Sequence, residues 1–190
     1  MTIWQTIKAD LTATVDGNLV SGAAFWLKVA GKALITPQTQ AVVLFRISSA
    51  LGRTPLRPLA FLVRALTVAW SGAEIHPDAV IGAGLALVHS NGVVIGPGVR
   101  IGRDCRLNQG VTLGEPGRGG RVDAWGFPTL GDHVTLGAHA VVVGPHRIGT
   151  GAVIGANAVV TRDVPGGAIV GGIPARLIRT VPLDEILGPR

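Results

Sequence analysis

From Ile75 to Val160 the chain keeps a period of six. Written in sixes it runs IHPDAV, IGAGLA, LVHSNG, VVIGPG, VRIGRD, CRLNQG, VTLGEP and, after a break, LGDHVT, LGAHAV, VVGPHR, IGTGAV, IGANAV, VTRDVP. Twelve of the thirteen leading residues are aliphatic, and the other, Cys105, serves as a small apolar substitute. Six is not the 3.6 of a helix. A hexapeptide repeat is the signature of a parallel β-helix, in which each six makes a short strand and a corner and three sixes close one triangular turn. The leads then point into a narrow prism. A branched aliphatic fits there and a large ring does not, in keeping with a chain that has 28 glycines, 4% aromatic residues and no tyrosine. The fold class expected is mainly β, with an α-helical N-terminal region.

Two places break the rhythm. "GEPGRGGRVDAWGFP" (Gly114–Pro128) is rich in Gly and Pro and reads as a loop over 114–129. Long excursions from a rigid scaffold concentrate function. The second break is chemical: His89-Ser90-Asn91 stands in an otherwise aliphatic stretch.

The repeat occupies 74–178. Ahead of it, residues 1–73 read as helical and apolar, strongest in "AAFWLKVAGKALI" and "LRPLAFLVRALTVAW", with breaks at Pro37, Gly52–Pro55 and Ser71–Gly72. Residues 179–190 form a short tail, helix or strap. Of the net charge of +6, the first 73 residues carry +5, from seven basic and two acidic side chains. This basic region meets a membrane surface, an anionic substrate or another subunit, or is a solvated face. Arg57 and Arg64, seven apart, share one helix face. Nucleic acid is not expected, because no basic cluster is interleaved with aromatics. A single cysteine and the absence of a signal-peptide pattern or a long apolar run point to the cytoplasm.

The repeat, the "EIHP" entry (Glu74–Pro77), "NQGVTLG" (Asn108–Gly114) and the exit "DVPGGAIVGGIPARLI" (Asp163–Ile178) resemble the hexapeptide-repeat acyltransferases, serine acetyltransferases above all. "LFRISSAL" (Leu44–Leu51) resembles the end of that family's helical region. The resemblance implies a left-handed coil, a homotrimer, or a higher oligomer through the helices, and acetyl-CoA as the acyl donor.

Acyl transfer from a thioester to an alcohol needs a base at the hydroxyl, and neutral histidine serves at pH 7. A carboxylate on the other ring nitrogen improves it. In the family an acid stands fifteen residues before the catalytic histidine, and Glu74 and His89 match that spacing. The resemblance thus implies His89 as general base and Glu74 as its orienting partner. With eighteen residues per turn, the two sit on successive turns about 4.8 Å apart along the axis. His76 is read as structural. Small residues at Gly137, Ala138, Gly155 and Ala156 match the groove for the pantetheine arm, Arg162 and Arg176 match the phosphate contacts, and a backbone N–H near Gly114 matches the oxyanion donor. No nucleophilic Ser or Cys is placed for a covalent step, so transfer is direct. His133, His139 and His146 resemble the zinc ligands of a related metalloenzyme, but its His-x4-His pair is missing and no metal is expected.

The chain departs from the family where serine is gripped. Val88 replaces an Asp before the histidine, and Gly126 and Phe127 replace an Arg-His pair. A zwitterion without ionic partners loses heavily on leaving water. Val88, Asn91, Trp125 and Phe127 are therefore expected to line a site for a sugar, glycan or small-metabolite hydroxyl. The alternatives are serine in a rearranged pocket using Arg121 or Asp123, N-acylation of an amino sugar, and a non-catalytic or metal-binding β-helix trimer.

Overall fold

The computed structural model describes residues 2–15, 22–117 and 126–187. Four helices come first: α1 (Ile3–Ala13), α2 (Gly22–Ile35), α3 (Pro37–Gly52) and α4 (Arg57–Ser71). Pro37 stands in the first turn of α3, where its missing N–H has no partner to lose. Gly72 ends α4 in the left-handed conformation (φ 70°) and donates to the Val68 carbonyl.

Beyond Gly72 the sixes wind into a left-handed parallel β-helix. Its first face stacks β1 (Glu74–Ile75), β4 (Val94–Ile95), β7 (Thr112–Gly114), β10 (Val141–Val143) and β13 (Val159–Val160). The second stacks β2 (Val80–Ile81), β5 (Arg100–Ile101), β8 (Thr129–Leu130) and β11 (Arg147–Ile148). The third stacks β3 (Ala86–Leu87), β6 (Arg106–Leu107), β9 (Thr135–Leu136), β12 (Val153–Ile154) and β14 (Ala168–Gly171), and is closed by the antiparallel β15 (Arg176–Thr180). β15 carries the chain through Ile178, and α5 (Leu183–Leu187) follows.

The register corrects the phase of the repeat. Ile75 faces Ile95, Ile81 faces Ile101 and Leu87 faces Leu107, each twenty residues on, whereas Ile95 faces Leu113 after the expected eighteen. Two extra residues therefore enter between Leu87 and Ile95, in the His-Ser-Asn stretch. The large inward residues of the next turn are Ile95, Ile101, Leu107 and Leu113. Val93, Val99, Cys105 and Val111 also lie fully inside, two residues earlier, as the smaller corner fillers. Both positions are apolar, so the sequence pattern cannot register the slip.

Two corner columns take left-handed backbone: Gly92, Gly110, His139 and Asn157 on the edge between third and first faces, and Gly84, Asp104, His133, Gly151 and Gly167 between second and third. Glycine, Asn, Asp and His tolerate that conformation best. His133 and His139 are thus corner residues. His146 lies on the remaining edge, so the three histidines of one chain cannot meet on one ion.

The helices pack onto the first turn, α1 and α3 against β3 and α4 against β1. A buried pair fixes the contact: Asp10 of α1 accepts from Arg46 of α3 and from the backbone N–H of Gly84 and Leu85, while Arg46 donates to the carbonyls of Ile81 and Gly82. Arg57 makes a bidentate pair with Asp78 at 3.2 and 2.7 Å, and Arg64 pairs with Glu74. The shared face of Arg57 and Arg64 therefore clamps α4 to the coil.

Candidate active site

His89 lies on the two-residue insertion, at the edge between the third and first faces, and its side chain is exposed. The backbone around it is tied on every side. Ser90 Oγ, buried, donates to the Ser71 carbonyl at 2.7 Å. Gly92 N donates to the Gly72 carbonyl, Val93 N to the Ser90 carbonyl, and Gly110 N to the Asn91 carbonyl. Extra residues in a solenoid corner would ordinarily move freely. Here the end of α4 above and the next coil below hold them, and His89 projects from a rigid turn with no side-chain hydrogen bond among the described residues. Ser71, Gly72 and Ser90 are positioning residues that sequence reasoning missed, since a Ser hydroxyl bonding across nineteen residues leaves no local pattern.

Glu74 stands beside this edge, its N–H donating to the Val93 carbonyl. Its carboxylate does not reach His89 as expected. Oε1 is held by Arg64, and no hydrogen bond or ion pair joins Glu74 to His89. Oε2 accepts no hydrogen bond among the described residues. Among the described residues, Arg64 Nε is buried without a partner, an uncompensated cost beside the site.

His76 is structural in its contacts. Its ring meets Phe61 edge-on at 5.6 Å, and Nδ1 accepts from the Asp78 N–H at 3.2 Å. Burial lowers its pKa, Asp78 opposes, and Arg64 and Arg57 add to the lowering. The ring is therefore neutral, and the 3.8 Å approach of Asp78 Oδ2 is not an ion pair.

The remaining candidates divide between edges. Gly137, Ala138, Gly155 and Ala156 lie on the same edge as His89, two and three coils further on. Gly137 is required by stacking, because a Cβ there would stand 2.6 Å from Ala156 N. Arg162 and Arg176 line one cavity of about 210 Å³ with Thr161 and Leu177. Gly114 ends β7 at the opposite edge of the first face. Phe127 is on that edge too: its ring lies on the turn at Gly96 and Gly98, where a Cβ on Gly98 would stand 2.1 Å from the ring. Phe127 thus packs against the core of the coil and does not meet His89 within one chain. Gly126 neighbours it. Trp125, Arg121 and Asp123 lie outside the described residues.

Val88 lines a polar cavity of about 100 Å³ with Thr14, Lys32, Gln38, Thr39 and Arg106. Burial lowers the Lys32 pKa, and repulsion from Lys28 and Arg106 lowers it further. Two basic side chains therefore stand beside Val88, the residue that precedes His89 in the sequence. The sequence could not show this, since Lys32 lies on α2 and Arg106 on β6, far apart along the chain.

Cys105, fully buried, donates its thiol to the Gly131 and Arg103 carbonyls at 3.3 and 3.5 Å. Its pKa rises from 9.0 to about 11, chiefly through burial. The folded chain keeps this proton above pH 9.0 while the unfolded chain loses it, so this group's contribution to stability falls as pH rises from 9.0 to about 11. A disulfide reagent at neutral pH is expected to leave Cys105 unmodified until denaturant is added; labelling of the native protein within minutes would contradict the burial.

The family model described as bacterial transferase hexapeptide (six repeats) matches residues 127–162. A serine acetyltransferase of Mycobacterium tuberculosis is 43% identical over 142 residues, 75% of this chain and 61% of that protein's length. The chain thus spans about three fifths of that relative. Among solved structures, soybean serine acetyltransferase complexed with serine matches with a TM-score of 0.80 and 34% identity, covering 93% of this chain and 69% of that one. The Brucella abortus serine acetyltransferase in complex with coenzyme A matches with a TM-score of 0.79 and 26% identity, covering 94% and 68%. With the corner geometry, the repeat and these likenesses in agreement, the chain belongs to the serine acetyltransferase family of hexapeptide-repeat transferases.

Proposed function

We propose that the chain is an acetyl-CoA-dependent O-acetyltransferase with His89 as general base. The observation that carries this reading is an exposed imidazole on a turn anchored by Ser90, Gly92 and Asn91, on the edge that also bears Gly137, Ala138, Gly155 and Ala156. A ring nitrogen of His89 takes the acceptor's hydroxyl proton as the oxygen attacks the thioester carbonyl carbon. The tetrahedral adduct then expels the CoA sulfur, which recovers the proton from the imidazolium. Glu74 Oε2 is the group that would turn to steady the imidazolium, while Arg64 holds Oε1. Arg162 and Arg176 meet the phosphates of the donor. Gly114 and Phe127 lie on the far edge of the first face, so a role for them at His89 requires a neighbouring copy, as in a homotrimer with sites between chains.

L-serine is the acceptor that the relatives' names favour over the sugar or glycan expected from Val88 and Phe127. The cavity beside Val88 supports this change, because Lys32 and Arg106 can answer the serine carboxylate that the missing Arg would otherwise hold. A sugar acceptor remains the second reading, carried by Val88 at the position of the family's Asp. Isotope-labelled acetyl-CoA with L-serine in one arm and a panel of sugars and glycans in another separates them by mass spectrometry. Label on serine is expected; label only in the sugar arm would overturn the serine acceptor. Arg106→Gln is expected to raise the KM for L-serine by about tenfold with kcat little changed.

A further inference from the structure

Helix α2, GAAFWLKVAGKALI, is apolar around its whole circumference apart from Lys28 and Lys32, yet Val29 alone is buried. A helix of this kind ordinarily sits inside a protein or against lipid. Its solvent side bears Leu27, Leu34 and Ile35, exposed by 76, 77 and 78%. The surface continues into an open apolar groove of about 780 Å³ between α1, α3 and α4, where Trp4 and Trp70 stand 76 and 65% exposed. Exposed apolar surface of this extent marks an interaction site.

We propose that this face docks on the interface of an anionic phospholipid bilayer. Charge selects the occupant. Arg46, Arg57 and Arg64 are taken up by Asp10, Asp78 and Glu74. Lys8, whose ammonium lies 5.0 Å over the Trp26 ring, and Lys28 remain on or beside the face. Among the described residues, α1 to α4 expose no carboxylate, since Asp10 is buried. A two-fold contact between copies would set these lysines against each other with nothing to neutralise them. Anionic headgroups neutralise them, and indole rings favour the headgroup depth. No helix among the described residues is long and apolar enough to cross a membrane, so the contact lies along the surface. Trp70 directly precedes Ser71, which anchors the His89 turn, so the docked face borders the catalytic edge.

The test is flotation of the purified full-length protein with vesicles of pure phosphatidylcholine and of equimolar phosphatidylcholine and phosphatidylglycerol. The protein is expected to float with the anionic vesicles, to be released by high salt, and to shift its tryptophan emission to the blue. The double variant Leu27→Gln with Leu34→Gln, at positions exposed enough to leave folding intact, is expected to bind at least about tenfold more weakly. Trp4→Ser serves as a second variant on another helix. Absence of flotation with anionic vesicles would overturn the proposal, as would flotation that neither variant weakens. A light-scattering mass that falls from wild type to the double variant without vesicles would also overturn it, by making the face a contact between copies.

Discussion

Replacing His89 with alanine is expected to lower kcat for acetyl transfer by about two to four orders of magnitude. KM for acetyl-CoA should change by less than about twofold, because the small residues proposed to hold the donor, Gly137, Ala138, Gly155 and Ala156, lie two and three coils away. Conformational stability should stay within about 0.5 kcal/mol of wild type. That last expectation makes the experiment decisive. Ser90, Gly92 and Asn91 hold the turn through Ser90 Oγ and backbone groups, so removing the imidazole leaves the turn and its anchors in place. A steady-state assay with L-serine, run beside a denaturant melt, reads all three quantities. Activity retained in the variant would remove His89 as the base. Activity lost together with several kcal/mol of stability would mean that the histidine holds the corner.

The largest effect on stability is expected at Asp10. Asp10→Ala should cost about 3–5 kcal/mol, because it leaves the Arg46 guanidinium buried without its counter-charge. Arg46 and Asp10 side chains are 8 and 2% exposed, so water cannot screen the loss. The N–H groups of Gly84 and Leu85 lose their acceptor as well, at the corner where the helices meet the first coil. Combining Asp10→Ala with Arg46→Ala should cost less than the sum of the single changes, by about 1–3 kcal/mol. Urea unfolding of the three variants checks this. Strict additivity would show that the two side chains are energetically independent despite their contacts.

Most of the coil was legible from residues alone because its rule is local. Each six needs one aliphatic lead and a small corner, and Leu130 through Val160 follow that rule without interruption. Reading failed where two positions in the six accept the same chemistry. Val93, Val99, Cys105 and Val111 satisfy the inward rule as corner residues, and so conceal the two residues inserted beside His89. Nor does any local pattern show that the Glu74 carboxylate meets Arg64 from α4. The helices were likewise legible in outline, down to the breaks at Pro37 and Gly72. Where their charges point was not, because Arg46, Arg57 and Arg64 find Asp10, Asp78 and Glu74 across the chain.

By itself the sequence determined the solenoid and its helical N-terminal region and singled out His89 as the candidate base, since periodicity and side-chain type are properties of neighbours along the chain. Only the tertiary structure decided how that histidine is held, which basic side chains stand beside Val88, that Phe127 closes a corner, and which helix face is left exposed. Those follow from register and packing between distant segments, where a two-residue insertion or one buried ion pair sets the geometry and no local pattern records it.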